Sequence, residues 1–274
     1  RGEALFRFRD GSVVSLKRTD FKALPRALLN LKAKRRQVMF NRDFTTAEFE
    51  YAGRKVLLEG PSESPLFFAE HLFLGGGEYP AVDVRGRVVV DVGANIGDTA
   101  IYFALNGASK VVAFEPFSDL AAMARKNILR NGLGKNVEIV EAGVSNKTAS
   151  IHLENGGGAH SASSQVSEGA SPGKSKIELL SLSDVVEKYA ISEAVLKLDC
   201  EGAEYGIILD AGAPLLRRFR AILVEYHYGY ENLAKKLESA GFKVRLHGPP
   251  KYDFNPGWKH PLIRVGVLLA ERTD

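Results

Sequence analysis

At 274 residues, 45% of them apolar, the chain has material for one large α/β domain or a core with an extension. A single cysteine, Cys200, excludes an intramolecular disulfide framework and fits a reducing, cytoplasmic setting, and no apolar run approaches the roughly 18 residues of a membrane span. The net charge of +4 is uneven, because residues 1–60 hold 14 Lys/Arg against 7 Asp/Glu; such an excess suits an acidic partner such as RNA or an anionic lipid surface, or else a solvated face. The chain begins at Arg1, which leaves a removed leader open.

Residues 4–16 read as a hairpin, with Leu5–Arg9 alternating, a turn at Asp10-Gly11, and Ser12–Leu16 returning. Residues 21–40 read as helical and carry the cluster Lys32, Lys34, Arg35 and Arg36. Phe49 to Leu58 reads as a second hairpin with Ala52-Gly53 near its turn. Residues 1–74 are thus expected to form a small extension of mixed structure. Gly75-Gly76-Gly77 closes it as a linker, where Tyr79 is either part of a hinge or part of a lid over a ligand.

Val88 to Val92 is a β-branched run of the kind that fills a buried parallel strand, interrupted by the acid Asp91. Gly93 and Gly97 bracket a tight turn, and a helix is expected from Ile96 to Leu105, capped by Gly107. The spacing Gly93-x-x-x-Gly97, with Asn95 where a dinucleotide site has its middle glycine, is not G-x-G-x-x-G, and no Gly-Lys-Ser/Thr follows. An acid just before the turn repels a pyrophosphate. It suits a ligand with an ammonium and a sulfonium, and S-adenosyl-L-methionine is such a ligand.

Lys110–Phe114 forms the next expected strand and ends in Glu115-Pro116. Glu115 falls 18 residues after Gly97, near the register of the acid that accepts hydrogen bonds from a ribose diol. Ser118 or Asp119 is expected to cap a helix to Arg130, and Asn136–Val140 to form a third strand. Ala142-Gly143 after it is small enough for an adenine to lie against the backbone. The candidate cofactor set is therefore Tyr79, Asp91, Gly93, Ala94, Asn95, Gly97, Asp98, Thr99, Glu115, Pro116, Ala142 and Gly143.

Residues 154–176 are Gly/Ser-rich with little to bury, and a mobile loop is expected there. Its His160 is either a substrate contact or a solvated side chain. Ser183 is expected to cap a helix through Tyr189. Ala194–Leu198 reads as a strand ending in Asp199-Cys200-Glu201-Gly202-Ala203-Glu204, where crowded carboxylates raise one another's pKa or share a cation. Glu204 reads as a helix-starting acid favoured by the dipole; Asp199 does not. Ala221–Val224 leads to Glu225-Tyr226-His227, a helix follows from Leu233 to Ala240, and Phe242–His247 and Leu262–Leu269 read as closing antiparallel strands.

Asp91-Val-Gly-Ala-Asn-Ile-Gly97, Glu115-Pro116, Lys197-Leu-Asp-Cys-Glu-Gly-Ala-Glu204 and Glu225-Tyr-His227 together resemble the FkbM family of methyltransferases over about residues 75–246. The resemblance implies a class I, Rossmann-like core in residues 75–274: a seven-stranded, mostly parallel sheet with the last strand antiparallel and helices on both faces. It implies transfer of a methyl from S-adenosyl-L-methionine to a hydroxyl on a sugar or other small metabolite. A sulfonium methyl is already electrophilic, so the protein must align a nucleophile and remove its proton. The candidates for that work are Asp199, Glu201, Glu225 and His227. Asp199 and Glu225 are also candidate ligands for Mg2+, with His227 and waters completing a set that suits a hard cation. Asp199, Glu225 and His227 are expected to converge, because both strands end at one crevice. A nucleic-acid methyltransferase using the basic first 60 residues, and a non-catalytic binder of the cofactor, are the alternatives; the carboxylate cluster speaks against the second. The oligomeric state is not legible.

Overall fold

The computed structural model describes residues 3–7, 13–17, 38–40, 45–61, 65, 68–73, 79, 82–153, 166–167, 175–254 and 262–274. The chain divides into two compact units, Arg1–Glu78 and Tyr79–Asp274. The helix expected over residues 21–40 lies almost wholly outside the described residues, as do Gly75–Gly77 and His160.

The first unit contains two small antiparallel sheets. Strands β1 (Glu3–Arg7) and β2 (Val13–Lys17) pair as the expected hairpin. A three-stranded sheet joins β3 (Val38–Phe40), β4 (Thr46–Tyr51) and β5 (Arg54–Glu59). Tyr51 pairs Arg54 across a two-residue loop, with Ala52 at φ 50° and Gly53 at φ 71°, the double left-handed turn that matches strand twist. Ala47, Phe49, Val56 and Leu58 alternate inward and are buried, and Phe73 lies against Phe49 and Tyr51.

The second unit is built on a seven-stranded sheet. Its strands are β6 (Val88–Val92), β7 (Lys110–Phe114), β8 (Val137–Val140), β13 (Ala194–Leu198), β14 (Phe219–Tyr226), β15 (Phe242–Phe254) and β16 (Leu262–Arg272). The order is β8-β7-β6-β13-β14-β16-β15, and β16 alone runs antiparallel to its neighbours. This is the class I Rossmann-like methyltransferase topology. Of the two closing strands read as antiparallel, β15 is in fact parallel to the core, because β16 inserts between it and β14. The inner strands are near-continuous apolar runs because they are covered on both sides: all five residues of β13 are buried, Lys197 among them.

Among the described residues, six helices connect the strands of this unit: α1 (Asp98–Leu105), α2 (Ser118–Arg130), α3 (Leu182–Lys188), α4 (Ala203–Asp210), α5 (Ala213–Leu216) and α6 (Glu231–Ser239). Helix α1 begins at Asp98, two residues later than expected, because the turn needs Gly97 at φ 85°. Helix α2 starts without a side-chain cap, so neither Ser118 nor Asp119 serves as one. Helix α3 is capped by Ser181 rather than Ser183, its hydroxyl accepting from the Asp184 amide at 3.1 Å.

A four-stranded sheet lies between β8 and β13 in sequence, ordered β11-β10-β12-β9: β9 (Gly143–Ser145), β10 (Ala149–Leu153), β11 (Val166–Ser167) and β12 (Ser175–Ser181). The stretch 154–176, expected to be one loop, therefore contributes Val166, Ser167, Ser175 and Lys176 to strands paired with β10. Its remaining residues lie outside the described ones. Among the described residues, no helix is long and apolar enough to cross a membrane.

Candidate active site

The parallel strands β6, β7, β13 and β14 all end at the same edge of the sheet, so the residues that follow them converge there. After β6 the chain must turn sharply against β13. Gly93 sits at φ 81°, and a Cβ on it would lie 1.8 Å from the Asp199 carbonyl oxygen, so only glycine fits. Asn95 follows at φ 48°, a left-handed conformation that its short polar side chain tolerates. The Asn127 side-chain amide, fully buried on α2, donates to the Ile96 carbonyl at 2.8 Å and holds the far limb of the turn.

Asp91 is fully buried. It accepts from the Thr99 hydroxyl at 2.6 Å and forms an ion pair with the Lys197 ammonium at 3.2 Å. The same ammonium donates to the Gly93 carbonyl at 2.8 Å and the Val92 carbonyl at 3.3 Å, and it lies 3.6 Å from Asp199 Oδ2. Burial alone would neutralise Lys197, but the charges of Asp91, Asp199 and Asp98 outweigh it and hold the lysine well above its ordinary value. It is therefore a buried cation that ties the end of β6 to the end of β13.

Glu115 after β7 is buried, and both its oxygens are held by main-chain amides: Oε2 by Asn95 at 2.9 Å and Oε1 by Phe117 at 3.0 Å. Burial pushes its carboxyl up to about 7, against the pull of those amides. Of the candidate cofactor residues, Tyr79, Gly93, Asn95 and Pro116 keep half-exposed surface, while Asp91, Ala94, Gly97, Asp98, Thr99, Glu115, Ala142 and Gly143 are buried. The buried ones shape the turn from within. Asp91 and Thr99 in particular face each other. A Cβ on Gly143 would meet the tip of the Leu179 side chain at 2.6 Å, which would have to move aside.

The turn after β13 carries the second half of the site. Glu201 stands at φ 54° and Gly202 at φ 109°, two successive left-handed residues, and the first of them is strained for a non-glycine. Asp199 is half-buried; its Oδ2 accepts from the Tyr79 hydroxyl at 3.3 Å. His227, after β14, is buried. Its Nδ1 is 2.9 Å from Glu204 Oε1 and its Nε2 is 3.6 Å from Glu201 Oε2. Burial works against a charge on His227, but the hydrogen bond and charge of Glu204, with Glu201 and Asp199 beyond, raise it to about 9, so it is an imidazolium at neutral pH. Burial pushes the Glu201 carboxyl above its ordinary value. Asp199, Glu225 and His227 each bring one ligand atom into a group that spans no more than 4.8 Å. The separation of 26 positions between Asp199 and Glu225 is bridged by the parallel pairing of β13 and β14.

Two residues of the site were given no part in it by sequence reasoning. Glu204, read as an acid favoured by the helix dipole, is fully buried and anchors His227, while its other oxygen accepts from the Gly202 amide at 2.8 Å. Lys197 enters the sequence reading as part of an apolar strand and of the motif running to Glu204, with no role of its own. A lone cation in such a strand was the available signal, since a buried charge requires partners.

The FkbM methyltransferase domain matches residues 91–244, and the chain belongs to that family. No curated protein matches the chain. Among solved structures, it is similar to the methyltransferase FkbM of Methylobacillus flagellatus KT (12% identity, TM-score 0.45), with 74% of this chain and 47% of that chain covered. The chain thus spans about half the length of that protein. It is also similar to M. jannaschii TYW2 in complex with AdoMet (15% identity, TM-score 0.43, 86% and 90% covered) and to M. capricolum TrmK in complex with S-adenosylhomocysteine (10% identity, TM-score 0.42, 69% and 63% covered).

Proposed function

We propose that residues 79–274 form an S-adenosylmethionine-dependent O-methyltransferase domain acting on a hydroxyl of a sugar or another small, uncharged metabolite. The observation that carries this reading is the convergence of Asp199, Glu225 and His227 beside the glycine turn that Lys197 fixes. The cofactor fits the chemistry of the neighbouring groups. Glu115 is pre-aimed by two amides and retains lone pairs for a ribose diol. Gly93, Asn95, Pro116 and Tyr79 would line its path. The bound cofactor supplies an electrophilic methyl group.

The protein's own residues supply alignment and proton removal. His227 carries a proton at neutral pH and so cannot accept another; the proton of the acceptor hydroxyl goes to Asp199, with Glu225 alongside. The imidazolium, clamped by Glu204, balances the negative charge of that group and orients it. Glu201 is placed to hold a second hydroxyl of the substrate. Asp199, Glu201, Glu204 and Glu225 outnumber Lys197 and His227, so this end of the site disfavours a phosphate backbone. A second reading adds a divalent ion such as Mg2+, favoured by the 4.8 Å grouping of two carboxylates and an imidazole. The donor types suit such an ion once His227 gives up its proton on binding it.

The test is calorimetric titration with the sulfonium cofactor and with NAD, then transfer of labelled methyl to a fractionated metabolite extract and to bulk RNA. Sulfonium binding, label in hydroxylated small molecules, and a loss of about 1–3 kcal/mol of cofactor affinity in Glu115→Ala are expected. NAD binding without sulfonium binding, or label confined to RNA, would overturn the reading.

A further inference from the structure

The opposite edge of the same sheet, where the parallel strands begin, holds a second concave site of different character. A cavity of about 360 Å³ is lined by Arg87, Arg220, Lys243 and Arg272, with Asp83 and Glu271 among them. Arg87 immediately precedes β6, Arg220 is the second residue of β14, Lys243 the second of β15, and Arg272 the last of β16, so the topology of the sheet gathers four cations there.

Their charges are not all balanced. Each acid in the lining is held by a cation outside it: Asp83 by Arg85 at 2.8 Å and Glu271 by the Arg245 guanidinium at 2.5 Å. Arg272 is neutralised by Glu193 at 2.7 Å and Asp274 at 3.2 Å. Arg87 donates to the Glu193 main-chain carbonyl at 3.2 Å, and Arg220 to the main-chain oxygen of Asp274. The Arg87 bond uses no carboxylate, whereas Arg220 meets the terminal residue Asp274, which Arg272 shares. Among the described residues the Lys243 side chain has no hydrogen-bond or ion-pair partner, although its backbone pairs with Glu271 across β15 and β16. Arg87 and Lys243 thus border one cavity without a carboxylate bonded to either side chain.

We propose that this cavity binds a small phosphate-bearing molecule, at a site separate from the methyl-transfer site. Guanidinium forks match the oxygens of a phosphate two at a time, and Lys243 adds a mobile point charge at the rim. A single carboxylate would satisfy one of these two cations; a phosphate or diphosphate can reach both, and the volume admits a compact ligand rather than a polymer strand.

The probe is inorganic pyrophosphate, titrated into the full chain by calorimetry at low salt, with adenosine 5′-monophosphate and a short single-stranded oligoribonucleotide as further arms. Pyrophosphate should bind, and Lys243→Glu should weaken it by at least roughly tenfold while Lys243→Arg stays close to wild type. The exposed Lys243 side chain is replaced while its strand pairing is kept, and an unchanged melting temperature will confirm that the variant is folded. Asp199→Asn, at the other edge, should leave pyrophosphate binding unchanged, which separates this site from the proposed catalytic one. Nucleotide binding with the same response to Lys243→Glu would extend the site to phosphate esters. Absence of pyrophosphate binding, equal binding in Lys243→Glu, or tighter binding of the oligoribonucleotide with a steep salt dependence would overturn the proposal.

Discussion

After β6 the chain turns through Gly93, Asn95 and Gly97, and after β13 through Glu201 and Gly202, all five at positive φ. Each turn follows an acid, Asp91 in one case and Asp199 in the other. The two acids differ in access: Asp91 is wholly enclosed, whereas the Asp199 side chain is 28% exposed. The first turn spends its acid internally, on Thr99 and Lys197, and presents main chain to the crevice. The second presents its acids. The same backbone device thus yields a surface that receives a ligand in one place and a surface that can take a proton in the other. Lys197 reaches both, through the Gly93 carbonyl and the Asp199 carboxylate.

That comparison can be broken most severely at Lys197. Lys197→Met removes the cation and strands Asp91 in the core, at a cost of about 3–5 kcal/mol, the scale of a buried pair with one partner deleted. Thermal or denaturant unfolding should show the loss, and Lys197→Met with Asp91→Leu should recover part of it. A Lys197→Met protein as stable as the wild type would remove lysine from the account of both turns.

Asp199→Asn sharpens the distinction between the turns. It keeps the shape and removes the charge, so cofactor affinity should stay nearly unchanged while turnover falls by ~10²-fold or more. Near-normal turnover at saturating cofactor would mean that the second turn, like the first, only holds a ligand.

The smallest expected effect is a pH tilt at His227. Its value is raised from the ordinary 6.5 to about 9 in the folded protein. The pairing with Glu204 therefore contributes its full stability below about pH 6.5, and that contribution is lost as pH rises through about 9. Melting temperatures from pH 6 to 10, wild type minus Glu204→Gln, should show a difference that shrinks with rising pH. A difference independent of pH would show that Glu204 does not hold a charged imidazole.

Much of this was legible in the chain itself. The apolar runs at Val88, Lys110, Ala194 and Ala221 mark strands because buried parallel strands need no alternation. Ala52-Gly53 marks a hairpin because few residues accept two left-handed positions. Asp199, Glu225 and His227 could be placed together because parallel strands end at one edge. What escaped depends on contacts distant in sequence. Ser181 rather than Ser183 caps α3 because β12 continues to Ser181, pinned by the Thr148 hydroxyl at 2.9 Å from its amide. Glu204 looks like any acid in a first helical turn until β14 brings His227 against it. The short strand β11 is specified by pairing with β10 and not by its own two residues.

The missing side chain at Gly93 has a mechanical consequence. With an added Cβ overlapping the Asp199 carbonyl oxygen, the first turn and the second are in van der Waals register, backbone on backbone, with no side chain between them to absorb a displacement. The Asp199 amide, donating to the Val92 carbonyl at 3.1 Å, closes the same seam. A ligand that pushes the first turn by a fraction of an ångström must carry the proposed base with it. Occupancy of the cofactor side would then be felt as a change in where the acceptor's proton is collected, and a substitution that loosened this seam would uncouple binding from chemistry while leaving every side chain of the site in place.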